Sequence, residues 1–570
     1  PAFRSAGPVC DYRMVARPVS TAAEWLQRAA AAERRGDAPG ALAVMTKALA
    51  QHPRDPALAN RGANFAMRAG DYGQAAEWFS AAATLDPTSL EFALNHAIAL
   101  SLAALAPFES AGAANARYCS ARGIAERGAG NLGDAQRWFD RCLALDPRQP
   151  RALHGRARLA LERGETDALE RFDRALAINP GDADLWLGKA QALDVEGRVE
   201  ETRQLAQQIV QQAPGWEHGT RFLAQLRLAA GEEDFTSHYR EAAAKQPQNP
   251  NIRADWAELL GSLDRFAEAA EILAQARRDF PDIERFALLE AIAAGAAGDD
   301  AQAEELFAGL QTDSVERHVH ESRHRLRRGE PERAEGLLAR AIEIDDSDIA
   351  AWALRDVAWR LLGDERHEWL HGQDRLVQFL PLEQTEDEIA SSVDLLGSLH
   401  DTSAFPLSQS LRGGTQTRGL LFARLEPELV SLKAAITDRL EVYRAGLPLA
   451  DAAHPLLRHR DAPWRIGGSW SVRLDGGGDY HTAHLHPQGI LSSALYLALP
   501  QERAAGEGAL ELGRPAADLR LDLPPVRVIE PRAGHLALFP STLYHGTTAF
   551  PRGRRMTVAF DVLTLDEAKP

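Results

Sequence analysis

Two periods of apolar positions divide the chain. Over roughly its first two thirds, small and apolar residues recur every three or four positions, as in "RALHGRARLALERGETDALERFDRALAINP" (151–180), the spacing of residues that share one helix face. From Ser469 onward the period shortens. "SWSVRL", "ILSSALYLALP", "VRVIEP", "HLALFPS" and "RMTVAFDVL" are predicted strands, separated by the turns "DGGGD", "AGEGA" and "PRAG". Between the two regimes, "EPELVSLKAAITDRLEVYRAGL" (426–447) predicts one more helix. Many short strands punctuated by Gly and Pro point to a sandwich or jelly-roll barrel.

The helical part keeps a clock. Prolines at 53, 87, 147, 180, 214, 247 and 281 follow one another at intervals of 34, 60, 33, 34, 33 and 34 residues. Glycines at 36, 70, 130, 164, 197 and 231 repeat with the same period, and Gly298, Gly329 and Gly363 continue it where the prolines lapse. Gly suits the left-handed residue that ends a helix, and Asp-Pro or Asn-Pro blocks continuation of the next. Each unit is therefore a helix hairpin, about ten in all. A single hairpin cannot bury its apolar face, so neighbours must stack into a solenoid. The 60-residue interval holds one full unit, about 117–150, and an irregular Ala-rich piece over 91–116.

The period, the small residues Ala152, Gly155 and Ala160, the aromatics Trp78, Trp138 and Phe172, and the closing Pro resemble the tetratricopeptide repeat family. The resemblance implies an all-α solenoid whose groove holds a peptide or protein partner. Dimerisation or simple spacing is the competing role. The repeat stops around "QFLPLEQTEDEIA" (378–390), which sets the expected organisation: a tail over 1–18, the array over 19–384, and a second domain over 385–570 with its strand core at about 465–563.

Bulk properties narrow the function classes. A length of 570 residues exceeds one core. A net charge of −17 argues against binding nucleic acid or an anionic membrane, which need a basic stripe. No apolar run approaches the roughly 20 residues of a membrane span, and no secretory signal is recognisable at the start, so a cytoplasmic location is expected. Cys10, Cys119 and Cys142 lack CxxC spacing and suggest neither a disulfide framework nor a zinc-thiolate site.

The chemistry lies in the last hundred residues. "HTAHLHP" (481–487) places three of the chain's 18 histidines in six positions. On a strand, residues two apart face the same way, so His484 and His486 form a pair and His481 stands apart. His545, just past the apolar strand "HLALFPS", supplies a third imidazole. Such a facial set suits iron, zinc, copper or nickel and leaves coordination positions open. Arg555 and Thr557, two apart on a predicted strand, offer a guanidinium fork beside a hydroxyl, able to hold a carboxylate.

HxH, a distal His, and Arg with Thr two residues later resemble the Fe(II)/2-oxoglutarate-dependent dioxygenases on a double-stranded β-helix, over roughly 395–563. The resemblance implies a catalytic and metal-binding set of His484, His486 and His545 holding Fe(II), with 2-oxoglutarate and dioxygen as co-substrates. Arg555 and Thr557 would take the far carboxylate of 2-oxoglutarate. Tyr496 would line its pocket, although core packing also explains that residue, as it does Trp470. "RGGT" (412–415) reads as a turn or an anion nest.

One departure matters. Most of these enzymes carry His-x-Asp/Glu, whereas here a second His stands in the carboxylate position, so Asp479 or His481 is an alternative ligand. The overall expectation is an all-α tetratricopeptide-like solenoid followed by a β jelly-roll with flanking helices. Its activity would be hydroxylation of a side chain in a peptide or protein held by the repeats. A small-metabolite substrate, a cupin-type metalloprotein, and an adaptor in which only the repeats act are the alternatives. The cupins' Glu shortly after HxH is missing, since Pro487-Gln-Gly-Ile-Leu follows.

Overall fold

The computed structural model describes residues 21–34, 38–69, 71–99, 105–401, 403 and 410–564. The expected tail 1–18, Cys10, the repeat glycines Gly36 and Gly70, and residues 100–104 of the irregular piece lie outside them. The chain forms two compact units, one ending at Arg156 and the other beginning at Ala157.

In the first unit, helices pair as the periodicity predicts: Ala22–Arg34 with Ala38–Gln51, Pro56–Ala69 with Tyr72–Leu85, and Ala116–Gly128 with Leu132–Leu145. The irregular piece contributes Leu90–Ala99, a 3-10 turn Ala106–Phe108 and one helical turn Glu109–Gly112. The small residues have a packing reason. Phe139 is fully buried between two first helices, and a Cβ added at Gly123 or Gly155 would come within 2.6 or 2.3 Å of its ring. Close packing leaves no slack to absorb that overlap.

The second unit continues the pairs through Val315–Arg327 with Pro331–Ile344 and adds the helix Ile349–Leu362. Gly164, Gly197, Gly231, Gly298, Gly329 and Gly363 all have positive φ, as helix-ending residues should. Pro180, Pro214, Pro247 and Pro281 occupy the turns after the second helices. Helices Glu386–Asp401 and Pro427–Gly446 then lead into the β domain.

Eleven strands are described: β1 Gln378–Pro381, β2 Leu411–Arg412, β3 Thr415–Gln416, β4 Trp464–Gly476, β5 Tyr480–His481, β6 Leu491–Ala498, β7 Leu510–Leu512, β8 Arg527–Ile529, β9 His535–Pro540, β10 His545–Thr547 and β11 Arg552–Thr564. The major sheet runs β1-β9-β6-β11-β4-β3, and facing it are a β10-β7-β8 sheet and a β2-β5 pair. All pairings are antiparallel, in jelly-roll manner. Here the structure differs from the expected boundary at 384. Gln378–Pro381 pairs with Leu538–His535 and so belongs to the sheet, because its backbone groups find ladder partners there that a turn between repeats could not supply.

Both faces of the major sheet are covered. Leu536 and Leu538 of β9, with Met556, Val558, Phe560 and Val562 of β11, pack on Leu396, Leu432, Ile436 and Tyr443 of the two helices. Ala537 and Phe539 point the other way, to Leu510, Leu512 and Leu543 between the sheets. The site lies on that inner face. No described helix is long and apolar enough to cross a membrane.

Several buried histidines must be neutral for this packing to hold. His454 donates from Nε2 to the Leu370 carbonyl at 3.0 Å, while Nδ1 accepts from the Leu456 and Leu457 N–H groups at 3.1 and 3.2 Å. Burial pulls its pKa down to about 4, and does the same to His238 and His400. In the unfolded chain these rings protonate near pH 6.5. Between about pH 6.5 and 4 the unfolded state therefore binds more protons, and stability falls as pH drops through that window. The expected outcome is a lower urea midpoint at pH 5.0 than at pH 7.5. An unchanged midpoint would mean that the rings are charged in the fold.

Candidate functional site

The three histidines expected to act together do converge. His484 and His545 form an isolated antiparallel bridge, each backbone N–H donating to the other's carbonyl at 3.0 Å. Gly546 permits this approach, since a Cβ there would lie 2.9 Å from the His481 carbonyl and 3.0 Å from the Ala483 nitrogen. The sequence-based placement of His484 and His486 on a regular strand needs correction. The strand ends at His481, and the pair follows in an extended segment with that single bridge. Alternation survives because the backbone stays extended there, so both rings still point to one spot, with Nε2 atoms 3.0 Å apart.

Their ring partners determine what they can bind. His484 donates from Nδ1 to the Thr482 carbonyl at 2.8 Å, and His545 from Nδ1 to the Leu543 carbonyl at 3.2 Å. His486 Nδ1 faces the Asp561 carboxylate at 2.5 Å. Each Nδ1 thus holds the proton, which leaves three Nε2 lone pairs turned inward. Burial, then the neighbouring imidazoles, lowers the pKa of His484 to about 3 and holds His545 well below the usual range. These rings stay neutral. Two lone pairs 3.0 Å apart repel unless a cation lies between them, and bonds of about 2.1 Å meeting at right angles span about 3.0 Å. One ligand atom from each of the three residues falls within 4.8 Å of the others. The donor set fits a divalent transition metal.

The alternative ligands are held elsewhere. Asp479 accepts the Asp475 N–H at 3.1 Å, and its carboxylate lies against the Gly413–Gly414 turn. "RGGT" is therefore a turn, with Gly413 and Gly414 both at positive φ. His481 stacks near His484, ring centroids 6.0 Å apart, but its Nδ1 is 3.1 Å from Ser410 Oγ. Trp470 packs on the core residues Leu411, Val472, Leu474 and Phe550, and its ring also lies 5.3 Å from that of His486.

Arg555, Thr557 and Tyr496 meet on the inner face of the major sheet, where Thr557 pairs with Tyr496 across β11 and β6. All three are buried. The Arg555 guanidinium lies 5.1 Å from the Tyr496 ring centre and donates once, from Nη1 to the Gly508 carbonyl at 3.1 Å. Its Nε and the Tyr496 hydroxyl have no partner among the described residues. Burial lowers the Arg555 pKa and raises that of Tyr496. Buried donors left over in this way mark a place for an acceptor.

Asp561 was not singled out from the sequence, although it shares the parity of Arg555 and Thr557 along β11. The outward residues Met556, Val558, Phe560 and Val562 are apolar and the inward ones include Arg555, Thr557 and Asp561, so parity was the available signal.

Residues 468–561, a span that ends on this Asp, match the family model described as "Putative 2OG-Fe(II) oxygenase". Residues 22–89 and 166–226 match two tetratricopeptide-repeat models. The chain joins tetratricopeptide repeats to a domain of that oxygenase family. Among solved structures, it is similar to yeast Tom70 at 13% identity over 75% of this chain and 97% of that one, with a TM-score of 0.31. It is also similar to the APC/C hetero-tetramer Cut9-Hcn1 at 13% identity, 67% and 91% coverage and a TM-score of 0.25. A third, MamA from Desulfovibrio magneticus RS-1, is 19% identical over 28% of this chain and 96% of that one, with a TM-score of 0.25. No curated protein matches.

In the oxygenase-family domain, Asp561 supplies a negative charge one hydrogen bond away from an all-imidazole set. Carboxylates so placed fix ring orientation and raise ligand basicity, and losing one weakens metal binding by about 10- to 100-fold. Asp561→Ala should lower Co(II) affinity by that factor in a calorimetric titration. Asp561→Asn, which keeps an acceptor but not the charge, should lose less.

Proposed function

We propose that the chain is an Fe(II)- and 2-oxoglutarate-dependent dioxygenase that hydroxylates a side chain of a peptide or protein held by its repeats. The observation that carries this reading is the pairing of two constellations on one inner face: three imidazoles able to hold one metal ion, and the buried Arg555 Nε and Tyr496 hydroxyl without partners among the described residues. His484, His486 and His545 would hold Fe(II). Arg555, Thr557 and Tyr496 would bind the far carboxylate of 2-oxoglutarate.

The division of labour follows from the side chains. When bound, iron and its co-substrates supply the oxidising power that inserts an oxygen atom into a C–H bond. Arg555 contributes a fixed cation in a site that penalises unpaired charge, so a carboxylate there is favoured both by charge and by the fork geometry. The Tyr496 hydroxyl can donate to the same carboxylate. Trp470, beside His486, keeps one wall of the site apolar and limits water. His484 and His545, neutral at pH 7, need no deprotonation before they bind metal.

A protein or peptide substrate is supported by the proportion of the chain given to repeats, a family whose members bind such partners in their grooves. Mass spectrometry of proteins captured by His545→Ala, then treated with active enzyme, should detect a gain of one oxygen atom on a side chain.

Anaerobically purified protein should contain iron and form succinate from 2-oxoglutarate. His545→Ala should lose the iron. Arg555→Ala should keep it but bind 2-oxoglutarate at least roughly 30-fold more weakly, since unpairing a buried charge costs about 2 kcal/mol or more. Absence of both iron and 2-oxoglutarate binding in the wild type would rule the reading out.

A further inference from the structure

The residues that alternate with the three histidines face away from the site, and there they meet the repeats. Leu485, between His484 and His486, packs on a cluster whose buried members include Val319, Leu326, Leu338 and Leu354 of the last repeat helices. Tyr544, immediately before His545, is buried in the same cluster. Its hydroxyl accepts a hydrogen bond from Arg323 Nη1 at 3.0 Å. Arg323 lies on the helix Val315–Arg327, and its Nη2 is 2.6 Å from both oxygens of Asp518 in the 3-10 turn Ala517–Leu519. One turn on, Arg327 reaches the same carboxylate at 3.3 Å. Two residues before Tyr544, Thr542 Oγ1 is 2.9 Å from Nε2 of His371, whose Nδ1 faces Asp356 of the helix Ile349–Leu362 at 2.9 Å.

We infer that Arg323 is a positioning residue for the metal centre, acting through the Tyr544 hydroxyl on the backbone that presents His545. The inference rests on the metal-site reading above. Extended backbone puts successive side chains on opposite faces, so fixing Tyr544 from outside fixes the direction of His545 inside. Leu485 does the same between His484 and His486. The last repeats are then the outer wall of the site.

The wall is partly buried and specific. Arg323 and Asp518 have side-chain exposures of 19% and 17%. The Asp518 carboxyl is held below its usual range, against its own burial, chiefly by Arg323. A guanidinium with both hydrogen-bonding edges committed has little freedom to swing.

The test is Co(II) binding to the full chain, read by affinity and by the visible ligand-field band. Tyr544→Phe removes one oxygen and leaves the ring in its cluster. It should weaken Co(II) binding roughly tenfold, the lower end for outer partners of a ligand, and shift the band. Arg323→Met should weaken it at least as much, and Tyr544→Phe keeps the test decisive if that variant, with Asp518 left to Arg327 alone, fails to fold. Arg340→Ala, which breaks exposed ion pairs to Asp313 and Glu343 on the repeats alone, should leave binding unchanged. Wild-type affinity and band in Tyr544→Phe overturn the inference. A wild type that binds no Co(II) overturns the metal-site reading itself.

Discussion

Alternation of side chains along extended backbone is the constraint on which the β domain depends. In β11 it sends Met556, Val558, Phe560 and Val562 to the covering helices and Arg555, Thr557 and Asp561 to the inner face. In 484–486 it turns two imidazoles inward and Leu485 outward, and at the start of β10 it sets His545 opposite Tyr544. A slip of one residue would exchange apolar surface for charge over the whole strand, which is a strong reason for the register to be unique.

Charge balance follows from the same geometry. Three imidazoles would carry no anion to a metal held there, yet Asp561 stands one hydrogen bond behind His486. Relative to a set with a carboxylate as direct ligand, the charge is displaced by one ring. An imidazole polarised by a carboxylate is a stronger donor than a free one, so part of the lost charge is recovered without a direct bond. Anions on a metal held there would meet less repulsion than beside a ligating carboxylate.

How much of this was legible in the sequence depended on whether a signal was local. Helix hairpins repeat every 34 residues, so Pro180 and Gly197 announced themselves through recurrence. The longer strands β4, β6, β9 and β11 were also readable, as was the three-residue β8 within "VRVIEP", whereas β7, β10 and β1 were not, because strands so short depend on the partners they find. His484, His486, His545 and Arg555 stood out by residue type and spacing. Asp561 hid in an apolar strand, and its partner His486 is 75 residues away. Arg323 and Tyr544 are 221 residues apart. No pattern within a window of ordinary length could join them.

The strand Gln378–Pro381 has a consequence for modularity. It leaves the repeats and at once becomes the edge of the major sheet, capping β9. A domain excised after it, or transplanted onto another helical array at a boundary drawn by homology alone, would bare a row of unpaired amides along β9, a template for edge-to-edge aggregation. Arrays and barrels of this kind cannot be recombined as beads on a string. Any exchange must carry the strand, and with it the seam, as part of the barrel.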